Sequence, residues 1–229
     1  MKILCIDTSS NICSVAILDD LNIIYEHSTN DGLTHSQNLM PMIDEAFNKT
    51  SLTLQDIDLY TCSIGPGSFT GIRIGVATTK AFVDVYNKPS IGISSLESLV
   101  YNVDSEYVCS IIDAKHDNVY CALFKKENNR YLVITEFISS DIDLSISTVS
   151  KVRNTNITFI GDGAILHKDK ISNSFINCIF IEGDLNYQNA VSVGKAAYIK
   201  YINKDEIVPL SPLYLKKSQA EIMLDKKEG

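Results

Sequence analysis

Two stretches of this chain repeat one short pattern, and the repeat restricts the possible fold more than any other feature. A run of apolar residues ends in Asp7, and a second such run ends in Asp113, 106 positions later. Each run predicts a buried strand that carries an aspartate at its end. At the same offset, the apolar residues 16–18 match residues 122–124, which predicts a second strand in each half. The sequence therefore indicates an internal duplication.

The later elements repeat in the same order. A third strand is expected at 22–28 in the first half and at 131–137 in the second. A glycine-containing turn follows at 64–67 and at 160–163, and then a helix at 70–86 and at 189–202. Two duplicated β-β-β-α-β-α lobes are the plan of the actin-like, sugar-kinase and Hsp70-type ATPases, an α/β architecture. A polar interruption at 102–106 divides the chain into lobes 1–103 and 104–229, and the end of the second lobe is free to pack back.

The junction between the strand at 59–64 and the helix at 70–86 contains the sequence Gly-Pro-Gly. Its glycines allow a tight turn that side chains would block. The spacing matches neither a Walker loop nor the dinucleotide-binding fingerprint. Helical periodicity places four residues of the following helix on one stripe: Gly71, Gly75, Thr78 and Phe82. Such a stripe suits close approach by another helix, although packing inside the same lobe would use the glycines equally well.

A second helix is expected to begin after Thr34, which forms a capping box with Gln37. Leu39, Ile43 and Ala46 then make an apolar stripe on that helix. This predicts an amphipathic helix with one face against a core or against a partner.

Composition excludes several classes of function. The formal net charge is −8, and no stripe of basic residues is present, so the chain alone is not expected to bind nucleic acid. The six cysteines contain no C-x-x-C pair, which favours buried free thiols over a disulfide framework or a zinc site. The first seven residues predict a strand and not a signal peptide, and no apolar run is long enough to cross a bilayer. We therefore expect a cytoplasmic protein without a membrane partner.

Residues able to carry out catalysis are scarce. In the actin-like plan a turn after each strand-end aspartate cradles phosphates, but the turns after Asp7 (Thr8, Ser9) and after Asp113 contain no glycine. We therefore expect vestigial phosphate turns, which leave room for weak nucleotide binding only. The four histidines are scattered and no G-x-S-x-G elbow occurs, so neither a metal site nor a catalytic residue is predicted.

Several motifs resemble those of the TsaB (YeaZ) family of bacterial tRNA threonylcarbamoyladenosine synthesis. They span nearly the whole chain and are Ile-Asp-Thr-Ser at 6–9, His-Ser-Gln at 35–37, Gly-Pro-Gly-Ser-Phe-Thr-Gly-Ile-Arg-Ile-Gly at 65–75, Asp-Ala-Lys at 113–115, Gly-Asp-Gly at 161–163 and Pro-Leu-Tyr-Leu at 212–215. Lys115 departs from the family pattern, which has arginine there, so the planar fork of a guanidinium is lost.

The resemblance implies a non-catalytic paralogue of TsaD, the enzyme that transfers threonylcarbamoyl to adenosine 37 of tRNAs reading codons that begin with A. TsaD carries a metal-binding H-x-x-x-H motif, and Ser95 and Leu99 fall where its histidines would be. TsaD and TsaE are the implied partners, tRNA is contacted only through the complex, and the chain alone is expected to form a homodimer. The expected partner interface consists of His35, Leu39, Met42, Ile43, Gly71, Gly75, Thr78 and Phe82. A glycoprotease-type peptidase and an ATP-dependent kinase of the same fold remain as alternatives.

Overall fold

The computed structural model describes residues 1–150 and 155–216, which fold around two β-sheets. The strands of the first sheet are β1 (Lys2–Asp7), β2 (Cys13–Asp19), β3 (Asn22–Thr29), β4 (Leu59–Gly65) and β5 (Ser90–Ser94). Those of the second are β6 (Tyr107–Asp113), β7 (Asn118–Glu127), β8 (Arg130–Val133), β9 (Ile138–Asp141), β10 (Ile157–Ile160) and β11 (Cys178–Phe180).

Both sheets have the same strand order, which confirms the predicted duplication. The first runs β3-β2-β1-β4-β5 and the second runs β8-β7-β6-β10-β11. In each, the central strand pairs antiparallel with the next strand in sequence and parallel with the strand that follows the first long crossover. Asp7 ends β1 and Asp113 ends β6, so the two aspartates occupy equivalent positions.

The third strand of the second half differs from the expectation of one strand over 131–137. Two short strands, β8 and β9, both pair antiparallel with β7. Between them the backbone amides of Ile134 and Thr135 donate to the same carbonyl oxygen, that of Leu123. The chain cannot keep a regular ladder while two amides share one acceptor, so the strand is interrupted there.

Seven helices accompany the sheets in the described part of the chain. They are α1 (His35–Thr50), α2 (Phe69–Tyr86), α3 (Ser95–Val100), α4 (Ile142–Val149), α5 (Asp162–Leu166), α6 (Lys168–Ser174) and α7 (Ala190–Asn203). The predicted capping box begins α1, where the backbone N–H of Thr34 donates to Gln37 Oε1 at 3.0 Å. None of these helices is both long and apolar enough to cross a membrane.

Alternate residues of β1 face two different cores, as a strand's period of two requires. Leu4 and Ile6 pack with buried residues of α1 and α2, whereas Ile3 and Cys5 pack with α7. The first sheet is therefore covered by helices on both faces.

The position of α7 corrects the expectation that residues 189–202 match α2 within the second lobe. The short α5 follows β10 directly, in the place that α2 has after β4, while α7 comes after β11 and packs on the first sheet. A Cβ atom added at Gly194 would lie 2.4 Å from Cys5 Sγ, so glycine permits this close approach. The division into 1–103 and 104–229 stays a prediction, and the contacts of α7 cross it.

A buried ion pair joins α7 to α3. Lys200 Nζ lies 3.0 Å from Glu97 Oε1, and the two side chains are only 19% and 10% exposed. Burial raises the pKa of Glu97, and the neighbouring Lys200 opposes that rise. The pair thus links α3 to α7, the helix that packs on the first sheet.

Candidate cleft and association surface

The Gly-Pro-Gly turn brings the start of α2 against the end of β1. Ser68 N donates to Ser9 O at 2.7 Å, and a Cβ atom at Gly67 would lie 2.1 Å from the same carbonyl oxygen. Gly67 also has φ +154°, in the range that favours glycine. Because no side chain fits at this contact, glycine is required for α2 to dock there.

Gly71 and Gly75 face into the chain, and their assignment to the partner interface stays a prediction. A Cβ atom at Gly71 would lie 2.0 Å from Thr8 O, and one at Gly75 would lie 2.5 Å from Thr8 Oγ1. Thr8 Oγ1 in turn donates to Gly71 O at 2.7 Å. The internal-packing alternative therefore describes both glycines.

Three apolar residues of α1 are likewise buried against the first sheet, and their role at an interface stays a prediction: Leu39, Met42 and Ile43. Their stripe is the face that α1 turns towards β2. His35 is half-buried, and its Nε2 lies 2.8 Å from Ser10 O. Thr78 and Phe82 are partly exposed, and their role at an interface stays a prediction.

The accessible side of these adjacent helices carries different apolar residues. Met40 on α1 is 51% exposed and Val85 on α2 is 72% exposed. Ala81 and Ala77 are exposed one and two turns before Val85, on the same side of α2. We call these four residues the α1/α2 surface. In the sequence, the α1/α2 surface could be recognised from the apolar residues that fall outside the buried stripe of each helix.

Asp7 ends β1 and precedes the first of the two expected phosphate turns. Its Oδ1 accepts hydrogen bonds from Ser9 N at 2.8 Å and from Ser9 Oγ at 2.7 Å, while its buried Oδ2 has no partner among the described residues. Burial raises the pKa of Asp7 to about 6, and the hydrogen bonds from Ser9 oppose the rise. The carboxylate thus organises its own turn.

Asp113 is held by a lysine. Lys115 donates to it from the backbone N–H at 2.8 Å and from Nζ at 2.6 Å. Burial acts to raise the pKa of Asp113, but the hydrogen bonds from Lys115 outweigh it and keep the pKa below its usual value. Asp162 Oδ1 accepts from Asp113 N at 2.9 Å, and His167 lies close enough to favour the ionised form of Asp113. Sequence spacing gave no signal for His167, because tertiary packing alone brings it there.

A cleft of about 220 Å³ separates the two turns. It is lined by Ser9, Ser10, Asn11, Gly67, Ser68, Ile112, Asp113, Ala114, Lys115, Tyr120, Asp162 and Gln188. The volume is below the roughly 300–1,000 Å³ of most ligand pockets. Two carboxylates line the cleft, and its one lysine is already paired with Asp113. This lining is poorly matched to a nucleoside triphosphate, and weak nucleotide binding stays a prediction.

The two positions that correspond to the metal histidines of TsaD are core positions. Ser95 and Leu99 are both fully buried. The hydroxyl oxygen of Ser95 lies 2.8 Å from that of Ser63, and Leu99 packs in the core of the second sheet. In the part of the chain that the structure describes, no three His, Cys, Asp or Glu side chains cluster as metal ligands would. A serine hydroxyl group and a leucine side chain at these positions do not fit a metal ion.

Comparison with solved structures supports the fold. The chain superposes on YeaZ from Pseudomonas aeruginosa with a TM-score of 0.78 and 20% identity, over 93% of this chain and 99% of that one. It is also similar to a ROK hexokinase from Thermus thermophilus, with a TM-score of 0.54 and 7% identity over 89% of this chain and 100% of that one. The predicted actin-like α/β class is therefore confirmed.

Comparison of sequences identifies the family. The family "TsaD: tRNA N6-adenosine threonylcarbamoyltransferase" matches residues 32–224. The tRNA threonylcarbamoyladenosine biosynthesis protein TsaB of Haemophilus influenzae is 27% identical over 94% of each chain. The protein of that name from Buchnera aphidicola subsp. Schizaphis graminum is 32% identical over 70% of this chain and 78% of its own length. This chain therefore belongs to the TsaB family of tRNA threonylcarbamoyladenosine biosynthesis proteins, within the wider TsaD family.

Proposed function

We propose that this chain is a non-catalytic subunit that supports a TsaD-type enzyme. That enzyme would transfer the threonylcarbamoyl group to adenosine 37 of tRNAs that read codons beginning with A. Family membership supports the pathway, and the buried Ser95 and Leu99 support a role without metal chemistry of its own. A cytoplasmic location follows from the tRNA substrate.

The observation that carries this proposal is the α1/α2 surface. Met40 and Val85 expose large apolar side chains on two neighbouring helices, although the same helices bury their other faces well. Contiguous exposed apolar patches mark interaction sites, and we infer that these side chains belong to such a patch. A like-folded partner can add its own equivalent helices in a pseudo-symmetric bundle, and a second copy of this chain would do so in a homodimer. TsaE would join the same complex.

The net charge of −8 bears on the role of tRNA. Phosphates are bound mainly by clustered lysine and arginine, so a chain of this charge needs a partner in order to hold tRNA. We therefore place tRNA recognition with the assembled complex.

A peptidase is the alternative of a different class, but it requires an activated nucleophile. Among the described residues no serine hydroxyl or cysteine thiol is hydrogen-bonded to a histidine; His35 contacts the backbone carbonyl of Ser10 instead. The geometry therefore favours the subunit role.

Co-elution with the TsaD protein of the same organism tests the proposal. Wild-type chain should elute with TsaD in a stable complex, and Val85→Asp should abolish that complex, because it places a charge in a desolvated contact. Ile176→Asp is the matched control, since Ile176 is 88% exposed in the loop before β11. Absence of a complex with the wild-type chain, or equal behaviour of the two variants, would contradict the proposal.

A further inference from the structure

Arg73 on α2 lies over the ring of Phe69 and is hydrogen-bonded to Tyr214. Its guanidinium carbon lies 3.8 Å from the centre of the Phe69 ring, and Phe69 stacks on Tyr214 with 4.5 Å between the ring centres. Arg73 Nε also donates a 2.7 Å hydrogen bond to the hydroxyl oxygen of Tyr214. The contact with the ring and the hydrogen bond together restrict the orientation of the guanidinium.

The platform under Arg73 is itself well supported. Phe69 and Arg73 are four residues apart and so lie on one side of α2. Tyr214 comes from a segment near the C-terminus that is fastened to the first sheet: Leu213 N donates to Ile64 O, and Gly92 N donates to Val208 O, each at 2.8 Å. A residue distant in sequence therefore completes the platform on α2.

The exposed charge of Arg73 is not part of an ion pair with any residue that the structure describes. Across residues 1–150 and 155–216 no carboxylate lies within ion-pairing distance of it, although Arg130 pairs with Asp205 at 3.0 Å. Arg73 is exposed, and among the described residues only its Nε is engaged by a hydrogen bond, so the donors of both terminal amino groups remain available to a partner.

We propose that Arg73 binds a carboxylate of the protein that docks on the α1/α2 surface, through a two-pronged hydrogen-bonded pair. This inference rests on the proposed function and specifies the chemistry of the contact between this chain and its partner. Arg73 lies one helical turn before Ala77, on the exposed side of α2, so a partner covering the surface also reaches the guanidinium. A fixed guanidinium matches the planar geometry of a carboxylate and loses little entropy on binding it.

A carboxylate fits this site better than a nucleic-acid phosphate. Backbone phosphates are held by several basic side chains together. Arg73 is the only basic residue in the first three turns of α2, where Lys80 comes next, and the chain as a whole is acidic. Arginine and aromatic residues are also the types that dominate the energetics of protein interfaces.

Titration calorimetry of this chain with the TsaD protein tests the proposal. Arg73→Ala should weaken association by at least about tenfold, and Arg73→Lys should restore only part of the loss, because the charge returns without the fork. Wild-type affinity should also fall as salt is raised, more steeply than that of Arg73→Ala. The control is Lys125→Ala, which removes a cation 5.9 Å above the Tyr107 ring, away from α2.

Charge reversal gives the strongest form of the test. Arg73→Glu should abolish association, and one carboxylate-to-lysine substitution on the TsaD surface should restore it.

If wild type binds TsaD and Arg73→Ala binds equally well, this inference is wrong while the proposed function stands. If wild type does not bind, both fail. If Arg73→Ala leaves the protein complex intact but weakens its hold on tRNA, the anion is a phosphate and the carboxylate assignment is overturned. Thermal unfolding of each variant confirms that it is folded.

Discussion

The hydroxyl group of Thr8 donates a 2.7 Å hydrogen bond to the carbonyl oxygen of Gly71 and thereby fastens the first turns of α2 to the end of β1. The same hydroxyl oxygen lies 2.5 Å from the point where a Cβ atom of residue 75 would stand. The contact that packs α2 against the first sheet therefore depends on the glycines of the motif. These glycines are needed for the fold of the isolated chain, whether or not a partner binds.

Replacing Gly75 by alanine should destabilise the isolated chain. The added methyl group would overlap Thr8 Oγ1, and we expect a loss of about 1–3 kcal/mol in the free energy of unfolding. Urea unfolding of the variant beside the wild type measures this. Lys80→Ala, a change at an exposed position of the same helix, should stay within about 0.5 kcal/mol of the wild type. A Gly75→Ala chain as stable as the wild type that no longer binds TsaD would restore the interface interpretation.

The ionisation of Asp7 should lower stability as the pH rises. Burial raises the pKa of Asp7 in the folded chain to about 6, above its usual value. The folded state then keeps a proton that the unfolded state releases, so the free energy of unfolding falls between about pH 4 and pH 6. A shift of about two units corresponds to about 3 kcal/mol at most. Asp7→Asn should lack this fall, which urea unfolding at a series of pH values would detect. Parallel profiles for the two proteins would contradict the prediction.

The ion pair between Glu97 and Lys200 should be costly to break when only one partner is removed. Lys200→Met leaves the buried carboxylate of Glu97 without its partner, and we expect a loss of about 3 kcal/mol in the free energy of unfolding. The double variant Glu97→Leu with Lys200→Met should recover most of that loss. Lys168→Met, which breaks a more exposed pair with Glu182, should cost no more than about 1 kcal/mol. Equal losses for the two lysine variants would show that α7 is not held to α3 in this way.

The isolated chain should bind tRNA only weakly at physiological salt, because its net charge is −8 and its arginine on α2 stands apart from other basic residues. A filter-binding titration of the chain alone, and then of its complex with TsaD, measures the difference. Tight binding by the chain alone would contradict the placement of tRNA recognition in the complex.

Local patterns were enough to predict the strands that end in Asp7 and Asp113, the capped helix after Thr34 and the duplicated plan. A buried strand ending in Asp7 or Asp113 shows itself through a run of apolar residues, and a period of about four residues marks α1 and α2. The family resemblance, carried by the Gly-Pro-Gly motif and the segments around it, was also readable in the sequence. The structure and the comparisons confirmed both.

Contacts between distant segments could not be predicted in the same way. Helical periodicity placed Gly71 and Gly75 on one face, but it does not say which element lies against that face, and here Thr8 does. The crossing of α7 to the first sheet depends on packing around Gly194 and on the pair of Lys200 with Glu97. These interactions join residues far apart in the sequence, so no local pattern reports them.

Reconstitution of tRNA modification tests the central claim most directly. Purified TsaD, TsaE, threonylcarbamoyl-adenylate and tRNA would be combined with wild-type chain, with Val85→Asp, with Ile176→Asp or with no chain, and threonylcarbamoyl incorporation at adenosine 37 would be followed. The account predicts rapid modification with wild type and with Ile176→Asp, and little or none with Val85→Asp or without the chain. Modification at the full rate without the chain, or by the chain without TsaD, would contradict it.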